Sequence, residues 1–196
     1  MSRVTGRLAT FVLLCAAVAL AGCAAPSPEG SGQGYVSGDG TITEFPLGER
    51  GEAISFSGPT EDGSTFTSTD YSGQVLVVNF WYASCPPCRV EAPWLNELAN
   101  QFDDQGVTFV GVNVRDSAAT ASAFARSFDV PYPSIIDREN DVMAAFAGRV
   151  SPGAVPTTIV LDHEGRPTSR IIGLIDQDVL EELIVTAIDE LPERAP

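Results

Sequence analysis

The chain has 196 residues, 44% of them hydrophobic and 19% charged, which suits one domain with a buried core and tails. Its formal charge is −15, with 26 acids against 11 basic residues, all of them Arg. That balance argues against nucleic acid or an anionic membrane surface as an electrostatic partner.

Residues 1–22 read as a targeting segment rather than as structure. Arg3 and Arg7 give a positive start, and Leu8–Leu20 is an apolar run too short for a spanning helix, which needs roughly 20 apolar residues. "LAGC" (Leu20–Cys23) then resembles a bacterial lipobox, in which cleavage precedes a cysteine that takes lipid. The expected organisation is a lipoprotein signal peptide (1–22), a lipidated Cys23 with a flexible linker (23–51), and one domain (52–196). "AAPSPEGSGQGYVSGDG" (Ala24–Gly40) is rich in Gly, Ser and Pro and would reach ~30 Å as a coil. This places the domain on the extracytoplasmic face of the cell membrane, anchored by lipid, where disulfides persist.

The domain begins with a short hairpin, "AISFSG" and "STFTSTD" around "TEDG". "QVLVVNFWY" (Gln74–Tyr82) is a continuous apolar run expected as a central buried strand. A helix is predicted from about Pro86 to Phe102, then a second buried strand over Gly106–Val114. Ser117–Asp129 reads as a helix capped by Ser117, "YPSIID" as a short strand, and Glu139–Gly148 as a short helix ended by glycine. Thr157–Asp162 and Pro167–Leu174 pair around "HEGR", the turn that holds His163, the only histidine. The last helix starts near Asp176, with Val179, Leu180, Leu183, Ile184, Ala187, Ile188 and Leu191 on one face. Strands alternating with helices argue for an α/β sheet with helices on both faces, closed by an antiparallel pair.

Four cysteines occur, and removal of Cys15 with the signal and acylation of Cys23 leave Cys85 and Cys88. A C-x-x-C pair serves as a redox couple, as half of a metal site, or as a staple. A zinc site needs about four ligands, and one pair plus one His falls short, so no metal and no cofactor is expected. A staple across two residues constrains the unfolded chain little. Redox chemistry has the stronger physical case. Cys85 stands at the mouth of the helix, where unpaired N–H groups and the helix dipole favour thiolate. Pro86 and Pro87 suit a first helical turn. Cys85 is therefore the expected nucleophile, and Cys88, a turn further in and expected to be less exposed, the resolving thiol.

"VVNFWYASCPPCRVEAP" resembles the active-site segment of thioredoxin-fold proteins, with Pro93 at the place of their helix-kinking proline. With the lipobox and "VPTTIVLDHEG", the chain most resembles the TlpA/ResA-like extracytoplasmic thiol–disulfide oxidoreductases, over roughly Ala53 to Leu191. The resemblance implies a thioredoxin-like central mixed β-sheet flanked by helices. It also implies client proteins with thiols or disulfides, and a membrane redox partner. Residue by residue, Glu91 matches an acid used near the thiols, either beside Cys88 through a water or as an ordinary surface glutamate. Pro156 matches a cis-proline that presents the Val155 backbone to a client. Asn79 replaces a buried Asp of cytosolic thioredoxins. Ser84 replaces a Trp that covers the disulfide in many relatives, and Trp81, Tyr82 and Trp94 are candidates either for apolar cover, Trp81 as a client contact, or for core or rim packing. The implied activity is disulfide exchange with clients, as reductant in apocytochrome c maturation or as oxidant. Two other readings are a peroxiredoxin-like thiol peroxidase and a lipid-anchored binding module. The first would want Thr and Pro where this chain has Tyr82 and Val78.

Overall fold

The computed structural model describes residues 41–148 and 154–191. The expected signal peptide, the expected lipidation site Cys23 and the expected tether through residue 40 lie outside these residues. Among the described residues no helix is long and apolar enough to cross a membrane.

The strands are β1 (Ile42–Glu44), β2 (Ser57–Pro59), β3 (Thr65–Thr67), β4 (Val75–Trp81), β5 (Val107–Asn113), β6 (Ser134–Ile136), β7 (Thr157–Leu161) and β8 (Pro167–Ile172). The α-helices are α1 (Pro86–Phe102), α2 (Ala118–Phe128), α3 (Asp141–Ala145) and α4 (Gln177–Asp189). A six-stranded sheet runs β1-β8-β7-β4-β5-β6, and β2 and β3 form a separate hairpin. β4 pairs parallel with β5 and antiparallel with β7, and β7 and β8 are antiparallel as expected, so the sheet is mixed.

Every residue of β4 is buried, because both faces of the central strand are covered. Alternation sends Leu76, Val78 and Phe80 into one core with Phe56, Phe66 and, from α3 and its end, Val142, Met143 and Phe146. Val75 and Val77 point the other way, into a core with Leu95, Leu98 and Phe102 of α1 and Leu180, Leu183, Ile184 and Ala187 of α4. Each such buried aliphatic or aromatic side chain stabilises the fold by about 1.5–3 kcal/mol. Val179, Ile188 and Leu191 pack against the same core, completing the predicted face of the last helix. Trp81 continues this face and meets α2 through Phe124, with ring centroids 4.5 Å apart.

The helix starts follow their capping residues. Ser117 Oγ accepts from Thr120 N, and Asp176 Oδ1 accepts from Asp178 N and Val179 N. Asp137 accepts from Val142 N and Met143 N and so closes the start of α3 from outside it.

The domain begins earlier than residue 52. β1 pairs antiparallel with β8 through Ile42–Ile171, Thr43–Arg170 and Glu44–Ser169, so the end of the expected linker is an edge strand. Arg50, also assigned to the linker, is buried. Its guanidinium donates to Asp162 Oδ2 at 3.1 Å and to Glu190 Oε1 at 2.7 Å, and its Nε donates to Phe45 O. Asp162 also accepts from the backbone and side chain of Arg166. Burial alone would raise the Asp162 carboxyl, but these N–H donors hold it below the ordinary value.

Candidate active site

The strand-to-helix turn after β4 carries both domain cysteines. Cys85 is extended (φ −73°, ψ 114°) and is the N-cap of α1, with Pro86 and Pro87 in the first two helical positions. Prolines there lose no helical hydrogen bond and fix the entry angle. Cys85 Sγ accepts from Cys88 N at 3.2 Å, so an unpaired N–H of the helix start points at this sulfur. Cys85 and Cys88 are disulfide-bonded, with Cα atoms 5.3 Å apart. Pro93 stands inside α1, and the helix runs on through it to Phe102.

Cys88 is not the less exposed of the two. Cys85 is 1% exposed and Cys88 3%. Both sulfurs sit in one cluster with Trp81, Ala92, Ala121 and Phe124, with Tyr82, Ala83 and Val155 packed against it. The capping position that brings the Cys85 sulfur to the helix N–H groups also tucks it under this cover.

Glu91 is no surface glutamate. It is 0% exposed, one turn after Cys88 on the inward face of α1. Asn79 Nδ2 donates to Glu91 Oε1 at 2.8 Å and also approaches Thr158 Oγ1 at 3.1 Å, and Ile175 N donates to Glu91 Oε2 at 3.3 Å. Burial pushes the Glu91 carboxyl up to about 7, against the smaller opposing effect of the Asn79 and Ile175 donors. Burial, and then the Glu91 charge, also push the Tyr132 hydroxyl up. A cavity of about 10 Å³, the space of roughly one water, is lined by Cys88, Asn79, Trp81, Tyr132 and Ser134 among others.

Trp81 is not available as a client contact. It is 6% exposed, and its Nε1 donates to Ser134 Oγ at 3.2 Å. The period-2 alternation of β4 turns it beneath α1 and α2. Trp94 packs in the α1–α4 core, while Tyr82 is half-buried and Ser84 exposed beside Cys85. The Val155–Pro156 bond is cis, Thr157 Oγ1 donates to Ala154 O, and Val155 packs on the cysteine cluster. No hydrogen bond to a described residue engages the Val155 backbone. His163 is half-buried in its turn, and its Nε2 lies 4.0 Å from Glu164. Among the described residues no three His, Cys, Asp or Glu side chains gather as a metal site.

Four participants escaped sequence reasoning: Thr158, the Ile175 N–H, Ser134 and Asp116. Asp116 Oδ2 accepts from Ala83 N at 2.6 Å and fixes the loop before Cys85. Each lies far along the chain from the residue it supports, so no local pattern announces it.

Residues 50–166 match the AhpC/TSA family. A thiol-disulfide oxidoreductase ResA of Geobacillus thermodenitrificans is 32% identical over 121 residues, 62% of this chain and 67% of that protein. A secreted thiol-disulfide isomerase from Corynebacterium glutamicum superposes with a TM-score of 0.73 at 28% identity, over 81% of this chain and 100% of that one. A DsbF homologue from Corynebacterium diphtheriae superposes with a TM-score of 0.71 at 32% identity, over 80% and 99%. With a thioredoxin-like mixed sheet and a cysteine pair at the head of its first long helix, the chain belongs to the AhpC/TSA family and, within it, to the ResA/TlpA-like thiol–disulfide oxidoreductases.

Proposed function

We propose that this oxidoreductase works at the extracytoplasmic face of the cell membrane, tethered through a lipid on Cys23, and exchanges disulfides through Cys85 and Cys88. The observation that carries the assignment is Cys85 as N-cap of α1, its sulfur accepting the Cys88 N–H. A thiolate at Cys85 gains from that N–H and from the helix dipole, which favour the attacking form.

In the reducing direction, the Cys85 thiolate attacks one sulfur of a client disulfide. A Cys85–client disulfide forms, and the other client sulfur leaves as a thiolate and takes a proton. Cys88, losing its proton, then attacks Cys85 Sγ and expels the second client thiolate. Two electrons pass to the client, and the Cys85–Cys88 bond forms. Glu91, one turn from Cys88, is the base for the Cys88 proton. The backbone of Val155 beside Pro156 is the edge along which the client segment lies.

Cys88→Ser tests this directly. The variant accumulates client proteins in disulfide linkage to Cys85, and Cys85→Ser accumulates none. If Cys88→Ser traps nothing and the purified pair exchanges no faster than a free thiol, the assignment is wrong. The reduction potential separates the two directions: a value near roughly −270 mV fits a reductant, as in cytochrome c maturation, and one near roughly −120 mV an oxidant of exported proteins. The recharging partner is then a membrane dithiol or disulfide protein of the matching potential.

A further inference from the structure

We propose that Arg89 and Arg115 form a cationic rim beside the disulfide and select client segments that carry carboxylates next to their cysteine. The proposal rests on the exchange function above and names the class of client it serves.

Arg89 follows Cys88 directly and is exposed. Its guanidinium carbon lies 4.8 Å from the centre of the Phe128 ring and 5.9 Å from that of Phe124. Its Nη1 donates to Ala83 O at 3.2 Å. Arg115, from the loop after β5, is also exposed, and its guanidinium lies 4.0 Å from the centre of the Tyr82 ring. The two cations therefore grip consecutive residues, Tyr82 and Ala83, of the loop that leads into Cys85. Cys85 N itself donates to Tyr82 O at 3.1 Å, so rim and sulfur belong to one short, bonded turn.

Neither cation is neutralised by an ion pair among the described residues. The ion pairs there join Arg50 and Arg166 to Asp162, Glu164 and Glu190, and His163 to Glu164. The nearest acids in sequence are turned inward, Asp116 beside Arg115 onto Ala83 N and Asn113 Nδ2, and Glu91 near Arg89 onto Asn79 Nδ2 and Ile175 N. A guanidinium has five N–H donors, and Arg89 uses one of them here. The cation–π contacts hold each guanidinium in place before a partner arrives, which lowers the ordering cost of binding a carboxylate. The whole molecule is strongly acidic, at −15, so this rim is a local exception to its field. Beyond roughly 8–10 Å that field is screened, and the contacts at the rim decide. An acid adjacent to the client cysteine meets the two guanidinium forks, and one far along the client gains nothing from them.

The test uses two peptides of identical composition and net charge, each with one cysteine capped as its methyl disulfide. One places two glutamates beside the cysteine, and the other places them at least ten residues away. The Cys85 thiolate displaces methanethiolate from the peptide sulfur, and Cys88 then releases the peptide thiol. The protein is first reduced and freed of reductant, and its second-order rate constant with each peptide in a single turnover is divided by that of dithiothreitol with the same peptide, which removes differences in sulfur reactivity. The wild-type protein is expected to favour the adjacent-acid peptide by about five- to tenfold, the scale of two surface charge contacts. In Arg89→Gln/Arg115→Gln the ratio falls to about one, and in Arg89→Glu/Arg115→Glu it inverts. Because each protein is read as a ratio between peptides, a change in Cys85 reactivity cancels. Equal wild-type rates, or a preference that survives both double variants, overturn the rim alone. No exchange with either peptide overturns the exchange function together with it.

Discussion

Asn79 donates its side-chain amide to Glu91 at 2.8 Å, so the central strand and the cysteine-bearing helix share one buried carboxyl. An amide cannot relay a proton as an acid does, and at this position it holds one. The hydrogen bond lowers the Glu91 pKa against the stronger upward push of burial, and the outcome is a carboxyl that titrates near neutrality.

Stability is expected to record that titration. Between the ordinary value of 4.5 and the folded value of about 7, the unfolded chain has lost the Glu91 proton and the folded chain still holds it. The contribution is therefore full below pH 4.5 and is lost as pH rises through 7, at a cost of up to about 3 kcal/mol. Glu91→Gln removes this slope. Urea unfolding of the oxidised protein at pH 5 and pH 8 measures it, and an unchanged slope in the variant contradicts the assignment.

The resolving step is expected to follow the same group. The proposed transfer of the Cys88 proton to Glu91 requires the carboxylate, so the release of a trapped client is expected to accelerate as pH rises through about 7. Glu91→Gln slows that release by about tenfold or more above pH 7 and flattens its profile. Stopped-flow decay of the mixed disulfide reads both effects.

Asn79→Ala deletes the donor that lowers the Glu91 pKa, so the midpoint moves above that of the wild type. Carboxyl NMR titration of the two proteins gives the displacement directly. A midpoint that falls instead would mean that Asn79 raises the pKa by excluding water more than it lowers it by donating.

Gly111 of β5 faces the Trp81–Ser134 contact. A Cβ there would lie 2.7 Å from Trp81 Nε1 and closer still to Ser134 Oγ. Gly111→Ala is expected to cost about 1–3 kcal/mol and to shift the Trp81 emission, because β4 and β6 must part to admit a methyl group. Thermal unfolding followed by fluorescence checks both.

What the sequence made legible follows from periodicity and caps. The run from Val75 to Trp81, the prolines after Cys85 and the apolar face from Val179 to Leu191 each carry their structure locally. β1 escaped because it is short and half-buried, and its ladder partner, β8, lies more than a hundred residues away. The burial of Glu91 escaped for the same reason: its partners are Asn79 and the Ile175 N–H, from β4 and the loop before α4. Trp81 read as a site residue because it stands near the cysteines, but the pleat of β4 decides which way it faces.

Arg50→Ala leaves the fully buried Asp162 with Arg166 as its one cation among the described residues and frees Glu190, at a cost of about 3 kcal/mol. The loss is expected to be larger at neutral pH than below pH 3.8, where Asp162 protonates in the unfolded chain, and urea titrations at the two pH values measure it.

The same residue sets the mechanics of the molecule. A pull on the chain ahead of Thr41 runs along β1, loading its ladder with β8 in shear, and then meets the Arg50 guanidinium locked to Asp162 and Glu190. Asp162 follows β7 at the end of the sheet where Leu161 pairs with Leu76, whereas Cys85 follows the other end of β4. The chain enters β1 at the sulfur end, where Ile172 N donates to Thr41 O and Ile42 lies in line with Thr158 and Asn79, so β1 and the Arg50 rivet tie the two ends of the sheet to one another across about 20 Å of strand.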